Sequence, residues 1–119
     1  MTQNEVFLEL SPGLEASGTA RAAVTKNFGD LSEERLVDLR LAVAALVTNS
    51  IRAQHEVPIL VHLWQDGSAA TDVHGKVTDD GSGANSLRSG RRDDPVRFRV
   101  LDAVTRDWGV ADDSAWFVA

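Results

Sequence analysis

The hydrophobic period of this chain changes from that of a helix to that of a strand near Pro58, and that change limits the folds available to it. From Leu36 to Ala53, apolar and small residues recur every three to four positions, which is typical of a buried helix face. After Pro58 the period is two, through 59–63 and again through 73–77, with the turn-forming pair Asp66-Gly67 between them. A long helix followed by an antiparallel hairpin predicts an α/β fold. The helix carries two adjacent stripes, Leu36, Leu39, Val43, Val47 and Ser50, and Ala42, Ala45, Asn49 and Ala53.

The stretches on either side of this unit predict further elements. Asp30 and Glu33 have the form of a capping box, which indicates that the long helix begins there. Residues 84–94 are polar and contain glycine and arginine, so they predict a mobile loop. The other predicted elements are a strand from Val6 to Leu10, a helix from Leu14 to about Phe28, a short helix opened by Asp94-Pro95 and running to about Arg106, and a strand from Trp116 to Val118.

Composition excludes several classes of function. The 119 residues show no repeat and no linker, so we expect one domain over 1–119. A net charge of -6 argues against nucleic acid, because phosphate backbones are held by a basic face. The chain has no cysteine, which excludes disulfides, thiolate catalysis and cysteine-based zinc sites. The first residues lack the basic and apolar segments of a signal peptide or membrane anchor, so the sequence predicts a cytoplasmic location and no membrane contact.

The segment Asp79-Asp80-Gly81-Ser82-Gly83 is the strongest candidate for a functional site. Alternation along the preceding strand places Asp79 on the same inward face as the apolar residues. An acid in that position is either paired by the protein or available to a ligand. The alternative interpretation is an ordinary turn, in which glycine supplies a positive φ and aspartate bonds its own backbone.

Three segments, in this order, resemble the Bergerat-fold ATPases of the GHKL group, in particular the anti-sigma-factor serine kinases and their histidine-kinase-like relatives. They are the end of the long helix at 46–52, the motif at 79–83 and the segment at 101–110, and the resemblance covers roughly Ala20 to Phe117. It implies a two-layer α/β sandwich in which a mostly antiparallel, mixed sheet is covered on one face by about three helices. It also implies a site for ATP and magnesium.

The resemblance assigns nucleotide-site roles to four residues. Asn49 matches the asparagine that helps to hold magnesium, and Asp79 matches the aspartate that accepts a hydrogen bond from the adenine amino group. Gly81 and Gly83 match the glycines that let the backbone pass close to the base. Asn49 also has an alternative interpretation, as a polar residue that bonds a neighbouring backbone or loop.

Two other positions depart from the family pattern. Ala45 stands where the family has its glutamate general base, and a methyl group accepts no proton. Pro95-Val96-Arg97-Phe98 stands where the family has its glycine phosphate box, and proline has no N–H to offer a phosphate. The sequence therefore predicts a vestigial nucleotide site, no catalysis and no tightly bound cofactor, with ATP and magnesium as the cofactors if the site functions.

Five arginines between 88 and 99 form a local basic segment in an acidic chain. Arg88, Arg91 and Arg92 are the candidate contacts to a protein partner, with solvated surface and phosphate contact as the alternatives. The resemblance implies a sigma factor or an anti-sigma-factor antagonist as the partner, and a homodimer. Three functions compete: a catalytically inactive regulatory domain that binds protein, an ATP-binding serine-protein kinase with an atypical phosphate site, and a purely structural dimerisation module.

Overall fold

The structure, a computed structural model, describes residues 5–65, 72–89 and 95–119. Within those ranges no helix combines the length and the apolar character needed to cross a bilayer. The described elements are, in chain order, β1 (Glu5–Leu10), α1 (Ala16–Asn27), α2 (Glu33–Ala53), β2 (Ile59–Gln65), β3 (Val73–Thr78), α3 (Ser82–Ser89), α4 (Pro95–Val104), β4 (Asp107–Ala111) and β5 (Ser114–Val118).

The strands form one five-stranded sheet in the order β1-β2-β3-β5-β4. Every neighbouring pair is antiparallel. The predicted α/β class is therefore confirmed, as a helical layer packed on one face of a sheet. The sheet was predicted as mostly antiparallel and mixed, and in the described ranges every pairing is antiparallel; about three helices were predicted, and the structure describes four.

One hydrophobic core joins the inner face of the sheet to the helices. α2 lies at its centre, and both of its sequence-predicted stripes contribute buried residues. Burying a large aliphatic or aromatic side chain contributes about 1.5–3 kcal/mol, so this layer accounts for much of the stability. The core includes Val6 and Leu10 of β1, Val24 of α1, Leu39, Val43 and Val47 of α2, Ile59, Val61 and Leu63 of β2, Val77 of β3, Leu87 of α3, Leu101 of α4 and Phe117 of β5.

The start of α2 differs from the predicted capping box. Ser32 is the N-cap, and its hydroxyl oxygen accepts a hydrogen bond from the Arg35 N–H at 3.2 Å. Asp30 lies instead in a turn that is closed when the Leu31 N–H donates to the Phe28 carbonyl at 3.0 Å. Ser32 directly precedes the first helical residue and is itself in a non-helical conformation, so its hydroxyl reaches the first-turn amides.

Two segments carry more regular structure than their composition predicts. The first half of the predicted loop at 84–94 belongs to α3, whereas its residues 90–94 lie outside the described ranges, as does the turn at Asp66-Gly67. The last predicted helix ends at Val104 rather than at Arg106, and the unpredicted strand β4 follows. The Thr105 N–H and hydroxyl both donate to the Leu101 carbonyl, which ends α4, and the Arg106 N–H then bonds the Val118 carbonyl at 2.7 Å.

Candidate functional site

The predicted nucleotide-site residues lie where β3 ends and α3 begins, beside the C-terminal part of α2. Asp79 directly follows β3, and Gly81 and Gly83 lie at the start of α3. Asn49 reaches them from α2, where it is 2% exposed. The structure therefore brings together the four residues that the sequence singles out.

The Asp79 carboxylate is bonded by three donors of its own chain. Oδ1 accepts from the Gly81 N–H at 2.8 Å, and the Gly83 N–H lies 3.3 Å from Oδ1 and 3.2 Å from Oδ2. The Ser50 hydroxyl, on α2, donates to Oδ2. Of the two outcomes expected for an inward-facing acid at this position, the structure shows the acid paired within the protein.

Asp79 and Asp80 together satisfy the first amides of α3. Asp80 Oδ1 accepts from the Ser82 N–H at 2.9 Å. Hydrogen bonds from the Ser82 side chain and then from its backbone hold the pKa of the Asp80 carboxyl below its ordinary value. A lowered pKa in the folded state means that this carboxylate stabilises the fold at neutral pH, and that its contribution is lost as the pH falls through that pKa.

Glycine is required at the two positions of the motif for two different structural reasons. Gly81 has φ of 97°, a left-handed conformation that side chains other than glycine rarely adopt. A Cβ placed on Gly83 would lie 2.7 Å from Asp79 Oδ2 and 3.4 Å from Asn49 Nδ2. Gly83 is therefore needed because the carboxylate and α2 approach the backbone there.

Asn49 holds α3 against α2. Its side-chain N–H donates to the Gly83 carbonyl at 2.9 Å, and this bond is buried. The alternative interpretation from the sequence, a polar residue that bonds a neighbouring backbone, thus describes its contact in the structure. Within the described ranges no group of three or more His, Cys, Asp or Glu residues is arranged to hold a metal ion. The magnesium role of Asn49 stays a prediction.

The space above Asp79 is nearly filled. The cavity there has a volume of about 10 Å³, enough for no more than one water molecule. This volume is far below the roughly 300–1,000 Å³ of pockets that accept drug-sized ligands. Residues of α2, β3, α3 and β5 close the cavity, which is lined by Leu46, Asn49, Ser50, Val77, Asp79, Gly83, Ala84 and Ala115.

Two positions that the sequence resemblance aligns with a general base and a phosphate box have identifiable places in the structure. Ala45 is partly buried and packs against the hydrophobic core. Pro95 begins α4. Phe98 is buried in the core, where its ring stacks on Trp108 with centroids 5.3 Å apart.

The three candidate partner-contacting arginines are not equivalent. Arg88, at the end of α3, donates to the Asn85 side-chain oxygen at 2.9 Å and to the Asp112 carbonyl at 2.7 Å. Its guanidinium therefore joins α3 to the turn between β4 and β5. Arg91 and Arg92 lie outside the described residues.

Ser50 is the site residue that sequence reasoning missed. It stands at the end of an otherwise apolar stripe that faces the core, and it is 2% exposed. A hydroxyl at such a position needs a polar partner across the core, and the inward-facing acid Asp79 is the partner available. A hydroxyl in an apolar stripe and an inward-facing acid together predict the Ser50–Asp79 hydrogen bond, whereas neither feature predicts it alone.

The fold and the site define a two-layer α/β domain in which the Asp79 carboxylate accepts hydrogen bonds from Ser50, Gly81 and Gly83 of its own chain. Comparison with models of known protein families gives no match, and comparison with curated proteins gives none either. The function must therefore be argued from the geometry and from the sequence resemblance.

Proposed function

We propose that this chain is a catalytically inactive, cytoplasmic regulatory domain of the anti-sigma-factor kinase-like type, which acts by binding protein without nucleotide. A sigma factor or an anti-sigma-factor antagonist is the partner that the sequence resemblance suggests. The observation that carries the proposal is the bonding of Asp79. Three of the roughly four lone-pair sites of its carboxylate accept hydrogen bonds from Ser50, Gly81 and Gly83, so the acid is already bonded within the protein without any nucleotide.

Three further observations support the loss of nucleotide chemistry. The cavity above Asp79 holds about 10 Å³. Ala45, at the general-base position, has no group that takes up a proton, and loss of a general base typically costs about 10²- to 10⁴-fold in rate. Pro95, at the start of α4, removes one of the amide donors on which a phosphate cradle at a helix N-terminus depends.

Titration calorimetry tests the nucleotide part of this proposal. We expect the purified protein to bind ATP with magnesium no more tightly than about 1 mM, and to bind adenosine equally weakly, because the cavity beside Asp79 is too small for a base unless α3 moves. Submicromolar binding of ATP that Asp79→Asn abolishes would show that the site opens and functions.

Affinity capture from the native host, with and without added ATP, tests the protein-binding part. We expect a specific partner in both conditions. Recovery of the partner only when ATP is present contradicts nucleotide-independent binding. Recovery of no partner under either condition favours a structural module instead.

A further inference from the structure

A cavity of about 520 Å³ opens at the end of the domain away from Asp79. Asp72, which directly precedes β3, lines this cavity, whereas Asp79 directly follows that strand. The volume lies within the roughly 300–1,000 Å³ of sites that hold small ligands. The charged part of the lining consists of two acids and two bases, namely Arg35, Asp38, Asp72 and Arg106. Charged groups that converge on one cavity make it a candidate site for a polar ligand.

Both arginines of the lining are held in place by their own chain. Arg35 donates from Nη2 to the Ala119 backbone oxygen at 3.0 Å. Arg106 donates from Nη1 to both carboxylate oxygens of Asp72, at 2.6 and 2.5 Å. A guanidinium carries five N–H donors, so each arginine keeps donors that these contacts do not use. Because the side chains are already ordered, a ligand that binds them loses less entropy.

Arg35 and Asp38 carry opposite charges one turn apart on α2. Side chains at this spacing commonly form an ion pair. Here no ion pair joins them, and the Asp38 side chain has no hydrogen-bond or ion-pair partner among the described residues. Both residues are half-buried. A carboxylate that has lost part of its hydration without gaining a partner is able to take a partner from a ligand.

We propose that this cavity binds a small zwitterion, namely an α-amino acid with a short apolar side chain. The ammonium group of the ligand pairs with Asp38, and its carboxylate pairs with Arg35, through charge-assisted hydrogen bonds. The side-chain Cβ atoms of residues one helical turn apart are about 5–6 Å from each other. The two charges of an α-amino acid therefore lie between Arg35 and Asp38 without either side chain leaving the cavity wall.

The remainder of the lining excludes ligands that carry a single charge. Asp72 and Arg106 neutralise each other, so the four charged side chains sum to zero. A simple anion meets two carboxylates in this lining and a simple cation meets two guanidiniums, whereas a zwitterion matches both signs. Ala103 and Val104, at the end of α4, supply an apolar wall for the side chain of the ligand.

An NMR titration of the full chain with L-valine tests this site, because amide shifts locate the ligand and also measure its Kd. We expect saturable shifts at Arg35, Asp38, Thr105 and Arg106, with a Kd of about 0.1–1 mM for a ligand of about eight non-hydrogen atoms. No saturable shift at these residues up to about 10 mM L-valine overturns the proposal.

Two analogues of L-valine each lack one charge, and they test the ligand class on the unmodified protein. Isovalerate lacks the ammonium group, and isobutylamine lacks the carboxylate. Each should bind at least about 10-fold more weakly than L-valine, because each loses one set of charge-assisted hydrogen bonds. Isovalerate that binds as tightly as L-valine shows an anion site, isobutylamine that does so shows a cation site, and either result overturns the zwitterion.

Asp38→Asn tests the ammonium contact, since it removes the charge and keeps the shape of the side chain. It should raise the Kd of L-valine about 10-fold and bring the Kd values of L-valine and isovalerate within about 3-fold of each other. Glu34→Gln is the matched control, because Glu34 is exposed on the same helix and does not line the cavity. It should leave the Kd of L-valine within about 2-fold of the wild-type value. An equal effect of both substitutions, or a preference for L-valine that survives Asp38→Asn, overturns the role of Asp38. None of these outcomes depends on nucleotide or on a protein partner.

Discussion

Removal of the Asp79 side chain separates a structural carboxylate from one held ready for a ligand. A residue that waits for a ligand is left unpaired in the free protein, so its removal leaves stability unchanged or raises it. Asp79 instead accepts hydrogen bonds from Ser50, Gly81 and Gly83. We therefore expect Asp79→Ala to destabilise the fold strongly in the absence of any nucleotide.

The magnitude follows from the donors that lose their acceptor. Ser50, Gly81 and Gly83 are all buried, and a buried donor without an acceptor costs roughly 1–3 kcal/mol. Three such donors sum to about 3–9 kcal/mol, and water that enters the space left by the carboxylate restores part of this. The expected loss is about 2–4 kcal/mol in the free energy of unfolding.

Thermal and urea unfolding followed by circular dichroism measure this loss. An unfolding entropy of about 2.1 cal/mol/K per residue gives the 119-residue chain roughly 250 cal/mol/K, so the loss lowers Tm by about 8–16 °C. Asp80→Ala is the matched control, because its carboxylate is exposed and caps the same helix. It should lower Tm by clearly less than Asp79→Ala does. An Asp79→Ala variant within about 0.5 kcal/mol of the wild type, or more stable than it, refutes the structural role.

Two further predictions concern the same region. Gly83→Ala should destabilise the fold by about 1–2 kcal/mol, because the added Cβ lies 2.7 Å from the Asp79 carboxylate. The control Gly18→Ala, in the open part of α1, should stabilise the fold by about 0.5–1 kcal/mol. Urea unfolding measures both free-energy changes, and two changes of the same sign contradict the close approach at Gly83. Charge reversal at Arg91 and Arg92 should slow association with the captured partner and increase its salt dependence, with unchanged unfolding as the control; an unchanged association rate contradicts a basic contact.

The sequence predicts the elements whose hydrophobic period is clear. α2, β2 and β3 follow from the change of period near Pro58, because a buried helix and a half-buried hairpin leave different spacings of apolar residues. α3 and β4 were not predicted. α3 is polar and short: its buried apolar side chains, Ala84 and Leu87, are only one helical turn apart, and the helix is also held by the aspartates before it and by Arg88. Tertiary contacts of this kind leave no local period in the sequence.

In the site, too, some features follow from local sequence patterns and others only from tertiary contacts. The inward orientation of Asp79 follows from strand parity, and its bonding partners follow from the position of α3, which local patterns do not give. The question whether the acid is paired or available therefore needed the structure. Asn49 illustrates the limit further, since the sequence supports either a magnesium ligand or a backbone contact, and only the 2.9 Å distance to the Gly83 carbonyl identifies the contact that it makes.

Because α3 is attached at both ends, a ligand reaches Asp79 only in the fraction of molecules in which α3 has moved away. The N-terminal end is bonded to Asp79 and Asp80, and Arg88 near the other end donates to the Asp112 carbonyl at 2.7 Å. Opening the site breaks the hydrogen bonds from Asn49 to the Gly83 carbonyl, from the Gly83 amide to Asp79 and from Arg88 to the Asp112 carbonyl. At roughly 1 kcal/mol each these three bonds sum to about 2–4 kcal/mol, which leaves roughly 0.1–3% of molecules open. A ligand that binds the open form alone has its apparent Kd raised by roughly 30- to 1,000-fold. Hydrogen exchange at the backbone amides of α3 measures that open fraction.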